Sequence, residues 1–452
     1  VRFFRADDPF DLSESFSLAH RPEWLLGRVD ASFNSVSASC GLIGSRDDAL
    51  MSKRHARLVA MTDGWQLADY GSKNGTFIDG VRLEEPLMLK NGDVIECGQS
   101  FFIYQEGPEL ATRPRAPRRP STAFSPLLYQ IAPLDVYLDS DLSIHLHGET
   151  GTGKEVVART IHELSGRTGQ FVALNCAAIP ENLFESELFG YAKGAFSGAS
   201  EHRRGQILAA NGGTLFLDEI GELSLDAQAK LLRALELKEI LPLGGQSPVP
   251  VDFRLVSATL TDLSGKMQEG RFRRDLYARL GQTFLIPPLR EHKGEIGALV
   301  RGVLAAQLAN RARAAPAPVV FFSRCAARAL LSHSWPLNIR ELRQCIESSL
   351  TAATSQMAEG QPCRIDLHHL PSSVVSGVGS LPSAASAPPP PPLPEKSSDW
   401  TTVRSAGISD DELRSALRKT SGRRADAARL LGTSERTVFR RLKKLRDMGH
   451  DF

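Results

Sequence analysis

"HLHGETGTGKEVV", His145 through Val157, decides what the middle of this chain is. Its spacing is that of a phosphate-binding loop, G-x-x-x-x-G-K, with Gly148, Gly153 and Lys154 at the diagnostic positions. The apolar Ile144 and Leu146 read as a strand entering the loop, and a helical stretch follows it. In that context glycines let backbone N–H groups turn inward around phosphate oxygens. The helix N-terminus adds partial positive charge, and Lys154 reaches the outer phosphates. Gly148, Glu149, Thr150, Gly151, Thr152, Gly153, Lys154 and Glu155 therefore form the candidate nucleotide-binding loop. Glu155 stands where a hydroxyl residue is usual, which raises the question of a missing part. His145 and His147 interrupt the strand and read as satisfied core or edge histidines, not ligands.

A second half of the site lies in "NGGTLFLDEIGEL". Thr214 to Leu217 is a continuous apolar run, as a buried parallel strand should be. At its tip Asp218 is placed to hold Mg²⁺ through water, and Glu219 to polarise an attacking water. Strands alternating with helical stretches predict an α/β middle unit with a parallel sheet.

The 452 residues allow two to four domains. A hydrophobic content of 42%, a charged content of 23% and a net charge of +2 describe a soluble globular protein whose charge must be read locally. The six cysteines never form C-x-x-C, which argues against a zinc site or disulfide framework and suits a reducing cytoplasm. No apolar run reaches the ~18 residues of a membrane span, so no membrane partner is expected, and the N-terminus is too acidic and broken for a signal peptide. Two linkers stand out, 107–123, rich in Pro and Arg, and 372–400, rich in Ser, Ala and Pro, with an unbroken proline run from Pro388 to Pro392. They leave three folded parts. Residues 1–106 carry short strands separated by Asp63-Gly64, Asn74-Gly75, Asp79-Gly80 and Asn91-Gly92, an all-β sandwich rhythm. Residues 124–300 form the α/β core, followed by a helical lid over 301–371. Residues 401–452 look wholly helical.

Six ordered motifs, "GETGTGKE", "LNCAAIPENLFESELFG", "KGAFSGA", "GGTLFLDEIGEL", "FRRDLYARL" and "WPLNIRELR", together resemble the AAA+ domain of sigma-54-dependent transcription activators, over roughly 124–370. That family carries glutamate after the loop lysine, so Glu155 is normal there and magnesium relies more on Asp218 and the phosphates. The resemblance implies an ATPase with ATP and Mg²⁺ as cofactors. It implies that Asn175 pairs with the catalytic Glu219 and restrains it. Thr259 matches the first sensor and Arg340 the second, on the lid. Arg273 and Arg279 match arginine fingers inserted into a neighbour's site, a job suited to a permanently charged bidentate group. Fingers supplied in trans imply self-association, from a dimer to a hexameric ring.

Phe196 sits on a tip of small residues, Gly194, Ala195, Ser197, Gly198 and Ala199, with little of its own to pack against. Composition alone leaves docking on a partner and folding back into the core equally open. The segment resembles the GAFTGA loop that contacts sigma-54 as ATP turns over, which implies a sigma-54 RNA polymerase holoenzyme as partner. Ser197 replaces the family's threonine, Tyr191 and Ala192 its His-Glu, Leu260 the asparagine after the sensor threonine, and Leu337 a glycine near the second sensor. The implied outcome is a working ATPase with slowed turnover. A phosphopeptide-binding scaffold with a degenerate ATPase is the rival reading, and a AAA+ DNA remodeller unrelated to sigma factors is a second.

From Arg414 to Arg446 twelve Lys/Arg face two Asp/Glu. "RADAARLLGTSERTVFRRLKKLR" reads as helix, turn, helix, with Gly432-Thr433 in the turn and Ser434 capping the second helix. Val438, Leu442 and Leu445 form a buried stripe, which leaves Arg436, Thr437, Arg440 and Arg441 for a major groove. The segment resembles the Fis-type helix-turn-helix, which implies upstream enhancer DNA as a partner, with flanking lysines on phosphates. At the other end "LLGRVD", "MSKRHARL" and "DYGSKNGTFIDG" resemble forkhead-associated (FHA) domains, which bind phosphothreonine peptides. Arg28, Ser52 and Lys53 would grip the phosphate and Asn74 the peptide backbone, with Arg46 as a substitute for Arg28. A sandwich that only packs on the ATPase is the plain alternative. The whole reads as a bacterial cytoplasmic regulator in a two-component-like signalling role, in which a protein phosphorylated on threonine by a Ser/Thr kinase biases the ATPase.

Overall fold

Five parallel strands build the frame of the nucleotide site. In a computed structural model they lie in the order Phe171–Asn175, Thr214–Asp218, Arg254–Thr259, Ile144–His147, Gln282–Leu285. The described residues are 2–5, 17–19, 21–28, 40–44, 48–106, 134–138, 140–196, 199–311, 318–357 and 361–376. Contacts divide the chain into Val1–Ser380 and Leu381–Phe452, and the second unit lies outside the described residues. So do Ser434, Arg436, Thr437, Arg440, Arg441, Arg46, Ser197, Gly198 and the 107–123 linker.

The central strands are buried on both faces: the run Thr214 to Leu217 and all of Arg254–Thr259, including its polar Arg254, Ser257 and Thr259, are shielded from solvent. Helix Lys154–Leu164 lays Val157, Ala158 and Ile161 on one side of the sheet, the i, i+1, i+4 face of an amphipathic helix. His145 and His147 are members of their strand. His145 is buried and its Nδ1 lies 2.8 Å from Ser257 Oγ, with burial pushing its pKa down to about 4.

Helices Ile296–Arg311, Arg324–Ser332 and Asn338–Ser355 form the lid, with Trp335 wholly enclosed and its Nε1 donating to Leu330 O at 3.0 Å. The first of these runs unbroken across the 300/301 division expected from sequence. Helix Ser372–Ser376 buries Val374 in the lid core, so the stretch read as linker from 372 begins as folded chain.

The described strands from Arg2 to Ile103 form the two sheets of a sandwich. One has the order Arg2–Arg5, Ser100–Ile103, Val94–Cys97, Thr76–Ile78, Val81–Arg82; the other Cys40–Ile43, Glu23–Leu26, Ala56–Met61, Gly64–Asp69, Leu87–Met88. Ile95, Cys97 and Phe102 point into the sandwich core. The alternate residues Val94, Phe101 and Ile103 point the other way, into the lid core beside Ile296, Val300 and Leu330. At the same joint buried Glu96 accepts from Arg328 Nε and Nη2, each at 2.9 Å, and from Arg324. Arg324 also covers the Phe77 ring at 4.8 Å. Burying three large apolar side chains contributes roughly 2 kcal/mol each, whereas a buried ion pair about breaks even after desolvation. Apolar area therefore holds the joint, and Glu96 sets its register.

Candidate active site

The sheet register assembles the site at one edge. Asn175 is the Cα partner of Asp218 and His147 of Thr259, so Asn175, Asp218-Glu219, Thr259 and the loop after His147 emerge side by side at the carboxyl ends of parallel strands. That edge is where open α/β sheets take their ligands. Gly151 and Gly153 have φ of 77° and 93°, a backbone that side-chain-bearing residues rarely adopt. A methyl on Gly151 would lie 2.2 Å from Leu337 O and 3.1 Å from Arg340 Cβ, which places exposed Arg340 beside the loop. Buried Lys154 donates from Nζ to Gly148 O at 2.9 Å and Glu149 O at 3.3 Å, and stands 3.9 Å from Glu219 Oε1. Thr152 donates to Glu149 O. Glu155 turns outward to pair with Arg159 at 3.3 Å.

Asp218 is half-buried, and that burial raises its pKa, opposed by nearby Lys154. Its Oδ1 accepts the Glu219 N–H at 3.1 Å. Glu219 itself adopts φ 53°, and its Oε2 accepts the Leu260 N–H at 3.1 Å. Asn175 Oδ1 here caps the turn Cys176–Ala178 by accepting Ala177 N–H at 2.9 Å, while the Leu260 N–H is the hydrogen-bond partner of Glu219. A short amide side chain at the end of a strand satisfies the nearest orphan N–H first. Since Leu260 acts through its backbone, leucine in place of asparagine keeps that contact. Thr259 Oγ1 is buried and engages Thr261.

This donor set suits a magnesium nucleotide. Among the described residues no three His, Cys, Asp or Glu converge as a protein-only metal cage. Asp218 would thus hold Mg²⁺ through water, with phosphate oxygens supplying the remaining ligands.

Arg273 pairs with Asp275 at 2.7 Å and Arg279 with Glu236 at 3.0 Å, both on the exposed surface. Phe196, 45% exposed, is less bare than its small neighbours imply, because its ring meets Tyr191 edge-on at 5.0 Å between centroids. Hydrogen bonds from Gly194 N to Ala199 O and from Ala195 N to Ala192 O close the turn beneath it. On the sandwich, Arg28 N–H donates to Ser52 O at 3.0 Å, Ser52 Oγ accepts Lys73 N–H at 3.1 Å, and Asn74 Nδ2 donates to Leu50 O at 2.7 Å. Arg28, Ser52, exposed Lys53 and Asn74 thus share one set of loops.

Sequence reasoning left Arg290 and Asn338 without roles. Arg290 holds Glu149 in two hydrogen bonds of 2.6 and 2.9 Å, keeping that carboxyl down at about 2, and Asn338 touches both Glu149 and Thr150. The available signal was an Asn in a turn just before a helix, a residue that tolerates the left-handed backbone found there.

Residues 24–98 match the FHA domain family, 125–285 the sigma-54 interaction domain, 290–386 the AAA+ ATPase lid domain and 408–445 the Fis family of bacterial regulatory proteins. The chain is 46% identical to the regulatory protein LuxO of Vibrio cholerae over 52% of this chain and 44% of LuxO. It is 37% identical to the transcriptional regulatory protein ZraR of Escherichia coli over 72% of this chain and 67% of ZraR. NtrX from Brucella abortus in complex with ATP aligns over 75% of this chain and 70% of NtrX, with 27% identity and a TM-score of 0.47. The chain spans about 44% of LuxO and 36% of the putative uric acid regulator UacR of Escherichia coli. With an ATP-binding AAA+ unit between an FHA domain and a DNA-binding Fis-type segment, it belongs to the sigma-54-dependent transcriptional activators.

Proposed function

We propose that ATP hydrolysis at this sheet edge drives the Phe196 loop against sigma-54 and remodels the closed promoter complex. The observation that carries the reading is the line-up of Lys154, Asp218, Glu219 and Thr259 on one strand edge, with Lys154 within 3.9 Å of Glu219. Bound Mg²⁺ would neutralise charge on the transferring phosphoryl group. Lys154 binds the phosphates, Glu219 orients the attacking water, and the Leu260 N–H holds Glu219 until it is released. Exposed Arg273 and Arg279 suit completion of a neighbour's site in a ring. Residues 408–445 tether the ring to enhancer DNA.

The test is open-complex formation with sigma-54 polymerase and ATP. Phe196→Ala should abolish opening while ATP turnover persists; full promoter activation by that variant would overturn the proposal.

The loops around Arg28, Ser52, Lys53 and Asn74 support phosphothreonine-peptide sensing. Asn74 leads through Gly75 and Thr76 to Phe77, which Arg324 of the lid covers, so a peptide at these loops acts on the lid and through it on ATP turnover. Adding a phosphothreonine peptide should change the turnover rate, and its unphosphorylated twin should not.

A further inference from the structure

Asn338 is where the lid meets the phosphate loop. Its side chain is wholly buried and makes three hydrogen bonds. Oδ1 accepts the Leu289 N–H at 2.8 Å; Nδ2 donates to Thr150 O at 3.0 Å and to Glu149 Oε2 at 3.2 Å. The next residue adds a fourth tie, Ile339 N–H to Gly151 O at 2.9 Å. Arg290, beside Leu289, braces Glu149 from the other side.

We propose that Asn338 is a positioning residue for nucleotide binding, a strap by which the lid sets the shape of the loop Gly148–Lys154. The inference rests on the ATP-binding reading of that loop. In a planar trans peptide the N–H lies opposite the C=O. Pinning the Thr150 carbonyl toward the lid therefore aims the Gly151 N–H away from it, as a donor for phosphate. The residue type is constrained twice. At φ 55° Gly, Asn and Asp carry the least strain, and of those only Asn accepts from Leu289 while donating to the loop. A lid displaced from the loop releases two of its carbonyls together, so lid position and phosphate affinity are one variable.

Asn338→Asp separates this role from plain folding. It keeps the size, the backbone tolerance and the acceptor for Leu289, but turns a carboxylate toward Glu149. With the full chain and a fluorescent ATP analogue, at a temperature where the variant is folded, the dissociation constant should rise about tenfold or more, beside whatever melting temperature the buried carboxylate costs. The double variant Asn338→Asp, Glu149→Gln restores a donor between the two side chains but none to Thr150 O, so affinity should stay low; full recovery would overturn the role given to the Thr150 bond. Should the aspartate variant not fold, Asn338→Gly deletes the side chain without backbone strain and should weaken ATP in the same way. Wild-type affinity in a folded variant, or a lower melting temperature with unchanged affinity, overturns the inference. If the wild-type chain binds no ATP, the reading beneath fails and the inference goes with it; a wild type that binds ATP beside an unaffected Asn338 variant sinks the inference alone.

Discussion

At the scale of single residues, charge placement decides the chemistry. Glu219 sits in a left-handed backbone with its carboxylate between Lys154 and the Leu260 N–H. Glu219→Gln keeps the shape and removes the base, so turnover should fall by about a hundredfold or more while ATP binding stays within a few-fold; phosphate release and nucleotide titration check this. His145 makes a separate prediction for pH. Burial lowers its pKa from 6.5 to about 4, so the unfolded chain binds the extra proton first as pH falls. Its contribution to stability is full above about pH 6.5, is lost progressively down to pH 4, and amounts to roughly 3 kcal/mol. Asn at this position can still bond Ser257 but cannot titrate, so denaturant unfolding of His145→Asn should show a shallower loss of stability between pH 6.5 and 4 than wild type.

At the scale of elements, the phosphate loop is shaped from both sides. The strand Ile144–His147 delivers it, and Leu337 of the lid closes over Gly151. Gly151→Ala adds a methyl 2.2 Å from the Leu337 carbonyl at φ 77°. Neither backbone can give way without breaking the Ile339 bond, so the variant should lose most ATP affinity. Isothermal titration calorimetry measures it, and near-normal binding would show that the lid does not constrain the loop. The sandwich strands Val94–Cys97 and Ser100–Ile103 work in a similar two-sided way, one face closing their own core and the other closing the lid's.

At the scale of the whole molecule, the FHA domain and the lid share one apolar core with Glu96 sealed inside it. Glu96→Ala would leave Arg328 buried without its carboxylate, a loss of about 3–5 kcal/mol for a broken buried pair. Arg324 is 30% exposed on its side chain and can turn to water, which favours the lower end. Urea unfolding of the full chain should report that loss. The same variant should still bind a phosphothreonine peptide yet no longer pass its effect to ATP turnover. Retained coupling would mean that the signal travels by another route.

Much of this was legible in the residues. "GETGTGKE" and "GGTLFLDE" carry their own backbone demands, because glycine accepts the loop's left-handed turns with least strain and a two-sided apolar run suits a strand inside a parallel sheet. The strand–loop–helix order, the acidic pair at a strand tip and the turn pairs of the sandwich followed from such local rules. The unbroken apolar run of Phe101, Phe102 and Ile103 hinted that a sandwich strand was covered on both faces, but not by what. What the sequence determined by itself was therefore the set of parts and the chemistry each could carry. Only the tertiary structure decided the partners: the Leu260 N–H for Glu219, Tyr191 beneath Phe196, Asn338 and Arg290 on the phosphate loop, and Glu96 between two lid arginines 228 and 232 residues away. The physical reason is that backbone conformation and burial periodicity are properties of a few adjacent residues. A side chain's hydrogen-bond partner, by contrast, depends on which distant segment packing brings within about 3 Å, and no local pattern records that.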